Sequence, residues 1–315
     1  MPKMLKLILT GFVLVILGGI IGWIGYANHG MQDLRWYHNK FIVPHNEQVE
    51  AKLADFDNIK IDSTSLIVDV IASKSVQTPK IEGLINDNGE FSHSVHDRTL
   101  TVKYITDDKY IGIGFGSVKT GHIKIYVPAN AKFNTINAGV GEGWLNLDGI
   151  TANTIKADSQ VGDVEFTNVH TNKLSVTTSM GYVKFNDVHA QTTNVHGGDF
   201  VVNVGDLGRT KVSIDDYGAF ILTGVKLNNL VARVGDNSVN FTNVTMTGVN
   251  TLVAGDGDIK IDGLKVDGLS AQTDDGTINV GGQAYSDNFV QNETAPNRLS
   301  ITSDDGSVTI NNLKK

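Results

Sequence analysis

The sequence predicts an all-β protein, a parallel β-solenoid (β-helix) with about 19 residues per rung, preceded by a single N-terminal transmembrane helix. Three observations lead to this fold class. An uncharged apolar stretch occupies Leu7–Tyr26, short alternating apolar runs begin at about residue 56, and the chain repeats itself after Pro128. Alternation of apolar and polar residues is typical of strands, and a fixed repeat of this length is typical of a solenoid.

The repeat is marked by a turn residue that recurs about every 19 positions. An apolar residue stands two positions and again four positions after each turn residue, and a second turn former stands six positions after eight of the nine. Gly and Asn at these two corners indicate backbone with positive φ, and the apolar residues between them indicate one inward face of a strand. The nine turn residues are Gly143, Gly162, Gly181, Gly198, Gly218, Asn237, Gly257, Gly276 and Gly306.

One rung alone buries too few apolar side chains to offset the entropy lost when its residues are ordered. Stacking supplies the missing hydrogen bonds between strands and covers the open faces of each rung. An antiparallel sandwich also has short strands, but it would not keep the same apolar positions in register through nine turns. The repeat therefore predicts a stack of about nine rungs after Pro128.

The apolar stretch at the N-terminus is about 20 residues long, which is enough to cross the hydrocarbon core as a helix. A cleaved signal peptide would have a shorter apolar region and a small-residue cleavage site, so an uncleaved signal anchor is expected. The expected topology is single-pass in the cell membrane with the C-terminal domain extracellular. The expected segments are a cytoplasmic tail at 1–6, the transmembrane helix at 7–26, a juxtamembrane stalk at 27–50 and the solenoid at 51–315, with repeats from about 130.

Four glycines of the apolar stretch are spaced 7, 4 and 3 residues apart, which places them on one face of a helix. They are Gly11, Gly18, Gly22 and Gly25. Small residues on one face favour close contact between two membrane helices. Glycine is also common in transmembrane helices without such a role, so both interpretations remain open.

Composition excludes several classes of function. The formal net charge of -8 and the lack of a long basic stretch argue against a nucleic-acid partner, because phosphate binding requires clustered Lys and Arg. The chain has no cysteine, which excludes disulfides, thiolate catalysis and Cys-ligated zinc.

Acidic residues gather at the first corner of the repeat, and stacking would align many of them. They are Asp163, Asp199, Asp216, Asp236, Asp256, Asp258, Asp274, Asp275, Asp304 and Asp305. Asp is common in turns because its side chain accepts hydrogen bonds from backbone amides, and this is the favoured interpretation. No cofactor is expected, although closely spaced carboxylates could hold calcium, for which Asp256 and Asp258 are the candidates.

Two further features could carry function. His170 and His189 are 19 residues apart, so they should stack on neighbouring rungs just past a corner, where two imidazoles alone are too few for a metal site. The interval between the last two turn residues lengthens to 30, which places an insertion at Gln283–Asn297. Tyr285 and Phe289 in this insertion could contact a partner, or the insertion could fold back as a cap over the end of the stack.

Landmarks along residues 50–315 resemble a known family. They are the segment Phe56–Asp62, the run Ile125–Pro128 followed by Phe133 and Ile136, and repeated Gly-Asp-Val-x-Phe units such as Gly162–Phe166. In this order they are similar to the bacterial "putative adhesin" family, which includes the LiaG-like envelope proteins. The resemblance implies a surface β-solenoid, often tethered by one N-terminal helix, in a cell-envelope setting, since the LiaG-like members are associated with cell-envelope stress operons in Gram-positive bacteria. It implies no catalytic residues.

We therefore expect a non-enzymatic, membrane-anchored surface protein, an adhesin or cell-envelope scaffold whose partner is a cell-wall polymer or a surface protein. The first alternative is a β-helix enzyme that cuts cell-wall glycans, which would need two carboxylates about 5 to 9.5 Å apart in a surface groove. The second is an accessory protein of an envelope-stress response system that acts through the glycine face of the helix.

Overall fold

The computed structural model describes residues 3–27, 34–37, 40–43, 45–86, 89–106, 111–113, 120–215 and 218–314. Two compact units are present: unit 1 comprises residues 1–47, 86–89 and 107–119, and unit 2 comprises residues 48–85, 90–106 and 120–315. The elements in chain order are α1 Lys3–Ala27, β1 Leu34–Tyr37, β2 Lys40–Ile42, β3 Asn46–Lys52, β4 Asn58–Ser63, β5 Leu66–Ser73, β6 Lys80–Asn86, β7 Gly89–His96, β8 Thr99–Thr106, β9 Ile111–Ile113, β10 Gly121–Pro128, β11 Lys132–Val140, β12 Leu145–Asp148, β13 Thr151–Ser159, β14 Val164–Thr178, β15 Val183–Gly197, β16 Phe200–Ile214, β17 Phe220–Val234, β18 Val239–Thr242, β19 Thr245–Thr247, β20 Val249–Ala254, β21 Ile259–Asp262, β22 Gly268–Thr273, β23 Ile278–Val280, β24 Gln283–Tyr285, β25 Asn288–Gln291, β26 Arg298–Ser303 and β27 Val308–Asn311.

Unit 1 contains the helix and a small antiparallel sheet. Helix α1 contains an apolar window at Ile8–Gly25 with a mean hydropathy of 2.3, none of which is buried in the protein. By length and composition this helix can cross a membrane, and a signal sequence has the same properties. Strand β1 pairs with β2 and with β9, so part of the segment expected as a stalk is a three-stranded sheet.

Unit 2 is the predicted parallel β-solenoid. Leu145 lies beside Val164, which lies beside Val183, and the same inward position continues through Phe200 and Phe220 on the next two rungs. These are the residues that stand two positions after each turn residue. The register of the repeat was therefore correctly predicted from the spacing of the glycines.

The stack also includes two rungs from the chain before Pro128. Strands β4 and β5 form one rung, which pairs in parallel with β11 and β12 of the following repeat. Strands β8 and β10 form another, which pairs in parallel with β4 and β5 on their other side. The first rung along the chain is therefore the second in space, and eleven rungs are described in all.

The C-terminal end shows the same inversion of rung order. Strand β26 lies between β20 and β22, and β27 lies between β21 and β23. The last rung of the chain is thus inserted between the two rungs that precede it. Near Asp267 the chain passes from the rung of β20 and β21 to the rung of β22 and β23, which is two rungs further along the stack. The backbone N–H of Asp267 donates to the carbonyl of Asn297 at 3.0 Å, and the Asp267 carboxylate accepts from the Asn297 side chain at 2.7 Å.

Antiparallel strands cover both ends of the stack. At the C-terminal end, β24 pairs antiparallel with β23 and β25 pairs antiparallel with β22. At the opposite end, β6 pairs antiparallel with β10. An exposed edge of parallel strands would accept strands from other molecules, so these segments protect the solenoid from end-to-end association.

The core is one continuous cluster along the stack axis. Its largest side chains form a ladder of fully buried phenylalanines, namely Phe166, Phe185, Phe200, Phe220 and Phe241. The ring centroids of neighbours are 5.0 to 5.6 Å apart and alternate between stacked and edge-to-face geometry. Both geometries are favourable for aromatic pairs, so the ladder joins successive rungs.

The two corners of each rung obey different constraints. At the second corner all nine residues have positive φ, as the Gly and Asn pattern predicts. Eight of them are Gly, Asn or Asp, and the ninth is Val204, with φ 59°. At the first corner the prediction of positive φ is wrong for most glycines, including Gly162 and Gly181. Glycine is required there because a Cβ on Gly162 would overlap the carbonyl oxygen of Gly143, the corner residue of the adjacent rung.

Candidate functional site

A polar groove of about 1100 Å³ runs along one edge of the solenoid, across the rungs from Lys132 to Asn228. We call it the corner groove. Its floor is formed by small residues that face the core at the point where each rung turns, including Ala152, Thr171 and Ala190. Phe133 occupies the same position on the first rung, and the change to small side chains on the next three rungs accounts for the concave surface there.

One wall of the groove is a ladder of outward-facing residues on neighbouring strands. Lys132 lies beside Thr151, Thr151 beside His170, His170 beside His189, and His189 beside Asp206. The two imidazole rings stack with centroids 4.8 Å apart and planes 19° apart, which confirms the stacking expected from their spacing.

The opposite wall is a ladder of side-chain amides. It consists of Asn134, Asn153, Asn172 and Gln191 on four successive rungs, followed by Gly208 on the fifth rung and Asn228 on the sixth. The side-chain N–H of Asn172 donates to the Asn153 oxygen at 3.4 Å, so the amides follow one another from rung to rung. Each amide offers both donors and an acceptor, and one rung repeats about every 4.8 Å. From Asn134 to Gln191 the groove therefore presents a regular row of hydrogen-bonding groups to an extended ligand.

The charges of the groove differ from those of the whole chain. Its lining contains the cations Lys132 and Arg209 beside the two histidines, and Asp206 is the one carboxylate among the described lining residues. A second carboxylate lies next to the lining, because the Asp187 Oδ1 is 3.0 Å from the Nε2 of His189. Glycoside hydrolysis uses a pair of carboxylates across the scissile bond. The described lining of the groove holds one such carboxylate, Asp206, together with hydrogen-bonding groups and two cations.

The acidic corner lies outside the corner groove. Repulsion from Asp236, followed by burial and by repulsion from Asp305 and Asp304, raises the pKa of Asp256, so stacked rungs do align these carboxylates. The side chain of Asp258 lies 3.5 Å from the Lys260 ammonium. In the part of the chain that the structure describes, no three His, Asp or Glu residues are arranged as metal ligands. Calcium at Asp256 and Asp258 stays a prediction, and Asp216 lies outside the described residues.

Tyr285 and Phe289 lie in the antiparallel cap. Their ring centroids are 4.9 Å apart in edge-to-face geometry, and both side chains pack against the core while remaining partly exposed. Their neighbour Val290 is 49% exposed. The insertion therefore folds back as a cap over the end of the stack, which is one of the two interpretations that the sequence left open. A role of the two rings in partner contact stays a prediction.

The glycine face of α1 has open space around it. Apart from the chain neighbours and the nearby backbone of the helix itself, no described atom lies within 4 Å of a Cβ placed at Gly11, Gly18, Gly22 or Gly25. A second helix could therefore approach this face, and the contact itself stays a prediction.

Two polar features of unit 2 were missed by sequence reasoning. Buried hydroxyls close the first corner: the Ser159 Oγ donates to the Gly162 carbonyl at 2.7 Å and accepts from the Gly162 N–H at 2.9 Å. The fully buried Asn250 accepts from the Leu230 N–H at 2.9 Å and donates to three carbonyls, among them that of Arg298 at 3.0 Å. The signal for the hydroxyls was Ser or Thr three positions before the turn glycine, as in Ser159, Thr178 and Thr273.

Several solved structures are similar to this chain at low identity. A "putative lipid binding protein" from Parabacteroides distasonis has 14% identity and a TM-score of 0.51, over 84% of this chain and 96% of that one. A "putative adhesin" from the same species has 14% identity and a TM-score of 0.48 over the same shares. A "putative cell adhesion protein" from Clostridium sporogenes has 13% identity and a TM-score of 0.31, over 86% of this chain and all of that one.

No curated protein matches the chain. At these identities the first solved structure supports the fold alone. The family described as Toastrack DUF4097 matches residues 56–311, which is well over half of the chain and spans the solenoid from β4 to β27. This match confirms the resemblance to the adhesin family that the sequence landmarks indicated. The chain belongs to the Toastrack DUF4097 family.

Proposed function

We propose that this protein is a non-enzymatic, single-pass membrane protein that displays its solenoid on the outer surface of the cell, where the corner groove binds cell-envelope material. The observation that carries the proposal is the polar groove, because its amide ladder and stacked imidazoles offer hydrogen bonds at the spacing of the rungs. Binding residues on a rigid scaffold need no ordering when the ligand arrives, which favours recognition.

The anchor supports display at the surface. The window Ile8–Gly25 is uncharged and exposed along its length, as expected for a helix whose natural surroundings are lipid. Lys3 and Lys6 precede it, and basic residues in a short flanking segment favour the cytoplasmic side. The names of several structural neighbours refer to adhesion, and we extend that role to this chain as part of the proposal.

The lack of cysteine makes topology directly testable. Single cysteines are introduced at Met4, near the start of α1, and at Ser286, an exposed residue of the cap. In intact bacterial cells a membrane-impermeant maleimide should label the Ser286→Cys variant, and the Met4→Cys variant only after lysis. Labelling of Met4→Cys in intact cells, or of Ser286→Cys only after lysis, would refute the proposed topology. Mass spectrometry of the membrane fraction should find α1 retained, whereas a cleaved product would show a signal peptide.

Binding is tested with isolated cell envelopes. Full-length protein in detergent should sediment with envelopes, and envelope-degrading enzymes should release it. If the protein stays in the supernatant at every concentration while it remains folded by circular dichroism, the binding role is wrong.

A further inference from the structure

An irregularity in strand β16 lies in the middle of the corner groove. The pairing of β16 with β17 shifts register between Asp206 and Arg209 and again between Arg209 and Lys211, which defines a β-bulge. Asp206 pairs with Lys226 before the bulge and Lys211 pairs with Val231 after it, which is the same offset, so the shift is reversed within five residues and does not lengthen the rung. Bulges commonly redirect one side chain at a functional site, and the residue at this bulge is an arginine.

The bulge is held rigidly by buried groups. Gly208 has φ 54°, and a Cβ there would overlap the carbonyl oxygen of Gln191 on the adjacent rung. The hydroxyls of Thr193 and Thr210, which are almost fully buried, each donate to the Leu207 carbonyl at 3.0 Å. The backbone that carries Arg209 is therefore fixed before any ligand arrives.

The side chain of Arg209 is available to a ligand. Its side chain is exposed in the groove, between Thr192 and Asn228 on the neighbouring strands, and it forms no hydrogen bond or ion pair with any residue that the structure describes. The nearby carboxylate of Asp206 accepts a hydrogen bond from the Gly208 N–H at 3.3 Å, so it supports the bulge. A guanidinium held in place without a partner is suited to bidentate binding of a phosphate or carboxylate.

The rest of the groove indicates the length of the ligand. Lys132 lies four rungs from the rung of Arg209, so the two cations are separated by about 19 Å along the stack. Between them lie the imidazoles of His170 and His189 and the amides of Asn153 and Asn172. A ligand that contacts both cations must be extended, and between its anionic groups it must carry donors and acceptors that match amides and imidazoles.

We infer that the corner groove binds a linear, hydroxyl-rich polymer that carries phosphate or carboxylate groups, with Arg209 as the residue that recognises the anion. The inference rests on the proposed envelope-binding function and names its ligand class. Hydroxyls of sugar or polyol units pair with the amide ladder, and the anionic groups pair with Arg209 and Lys132. The net charge of -8 opposes nonspecific binding of anions to the chain as a whole.

The experiment measures binding of full-length protein in detergent to three immobilised probes, which are poly(glycerol phosphate), polygalacturonate and neutral dextran. We expect retention on one or both anionic probes and none on dextran, with the two anionic arms separating phosphate from carboxylate. Arg209→Ala should weaken binding about tenfold or more, as expected for loss of a charge-assisted bidentate contact. Arg209→Lys should give an intermediate affinity because it keeps the charge and loses the fork.

Arg233→Ala is the matched control, because it removes an equal charge from an exposed position of β17 outside the groove. Equal effects of Arg209→Ala and Arg233→Ala, or equal retention on dextran, would overturn the inference. Circular dichroism establishes that each variant is folded. If the Arg209→Ala variant sediments with whole envelopes as the wild type does, the assignment of Arg209 as the anion site is wrong while envelope binding stands. If the wild-type protein does not sediment with envelopes, the proposed function itself is refuted.

Discussion

Val204 occupies a backbone position that its residue type disfavours, and replacing it should stabilise the solenoid. Its φ of 59° matches the values of 51° to 80° at the equivalent second corner of the other eight rungs, where Gly, Asn or Asp stands. The left-handed region costs an L-residue about 1–2 kcal/mol, and a β-branched residue there is a marked outlier. Asn tolerates this conformation, so Val204→Asn relieves most of that strain.

The loss of apolar contact partly offsets this gain. The Val204 side chain is 55% exposed, so less than half of it is buried. Full burial of a valine is worth about 1.5 kcal/mol at the low end of its range, so the buried part contributes about 0.7 kcal/mol. The expected net effect of Val204→Asn is a stabilisation of about 0.5–1 kcal/mol, or a rise in melting temperature of about 2 °C.

The assay is urea and thermal unfolding of the full chain in detergent, followed by circular dichroism. Val231→Asn is the matched control, because Val231 is 45% exposed and lies in strand β17 without positive φ, so it should destabilise slightly. The reciprocal change Asn168→Val introduces the same strain at φ 53° and should cost about 1–2 kcal/mol. If Val204→Asn lowers the urea midpoint as much as Val231→Asn does, the strain argument is refuted.

Further predictions concern the corner, the core and the ends of the stack. Gly162→Ala should destabilise by about 1–3 kcal/mol through overpacking against the adjacent rung, whereas Gly139→Ala, whose Cβ would have its nearest neighbour at 3.8 Å, should be close to neutral in the same unfolding assay. Asn250→Leu should cost about 2–4 kcal/mol because it leaves buried backbone groups on three rungs unpaired, and an unchanged urea midpoint would contradict this. Neighbouring carboxylates raise the pKa of Asp256 in the folded protein, so its ionised form lowers the free energy of unfolding above that pKa. This destabilisation disappears as the pH falls and the carboxylate is protonated. Asp256→Asn should therefore raise the melting temperature at pH 7 and low salt but not at about pH 3, and a rise caused by calcium in the wild type alone would establish the calcium site instead. Removal of residues 298–315 should expose the edges of two rungs and cause aggregation, and a synthetic peptide of that sequence should suppress the aggregation. A truncated chain that is soluble and fully folded would contradict the inserted position of the last rung.

Much of the solenoid could be predicted because its physical requirements repeat. Inward positions need apolar side chains and the second corner needs positive φ, so Leu145 and Val164 could be aligned without knowledge of the structure. The same reasoning predicted the stack of His170 on His189, since equal positions on adjacent rungs must be neighbours.

The candidate site was harder to predict because its features are departures from the repeat. The bulge at Gly208 shifts the pairing register by one residue and the shift is reversed by Lys211, so the spacing of the repeat carries no sign of it. The concave surface depends on small side chains such as Ala152 and Ala190, which are ordinary residues for a turn near the core. Only the structure places these residues beside Arg209.

The order of the rungs could not be predicted from the periodicity, for a more general reason. A repeat identifies equivalent positions, such as Ile259, Ile278 and Val308, but every rung offers the same unpaired edge to its neighbours. Sequence spacing therefore cannot say which rung pairs with which, and only the connections decide. The long insertion at 283–297 supplies that information in retrospect, because it pairs with the outer face of the terminal rung and then has enough chain left to return beneath it. Closing the end with an antiparallel cap and inserting the last rung inside it are thus two consequences of one connection.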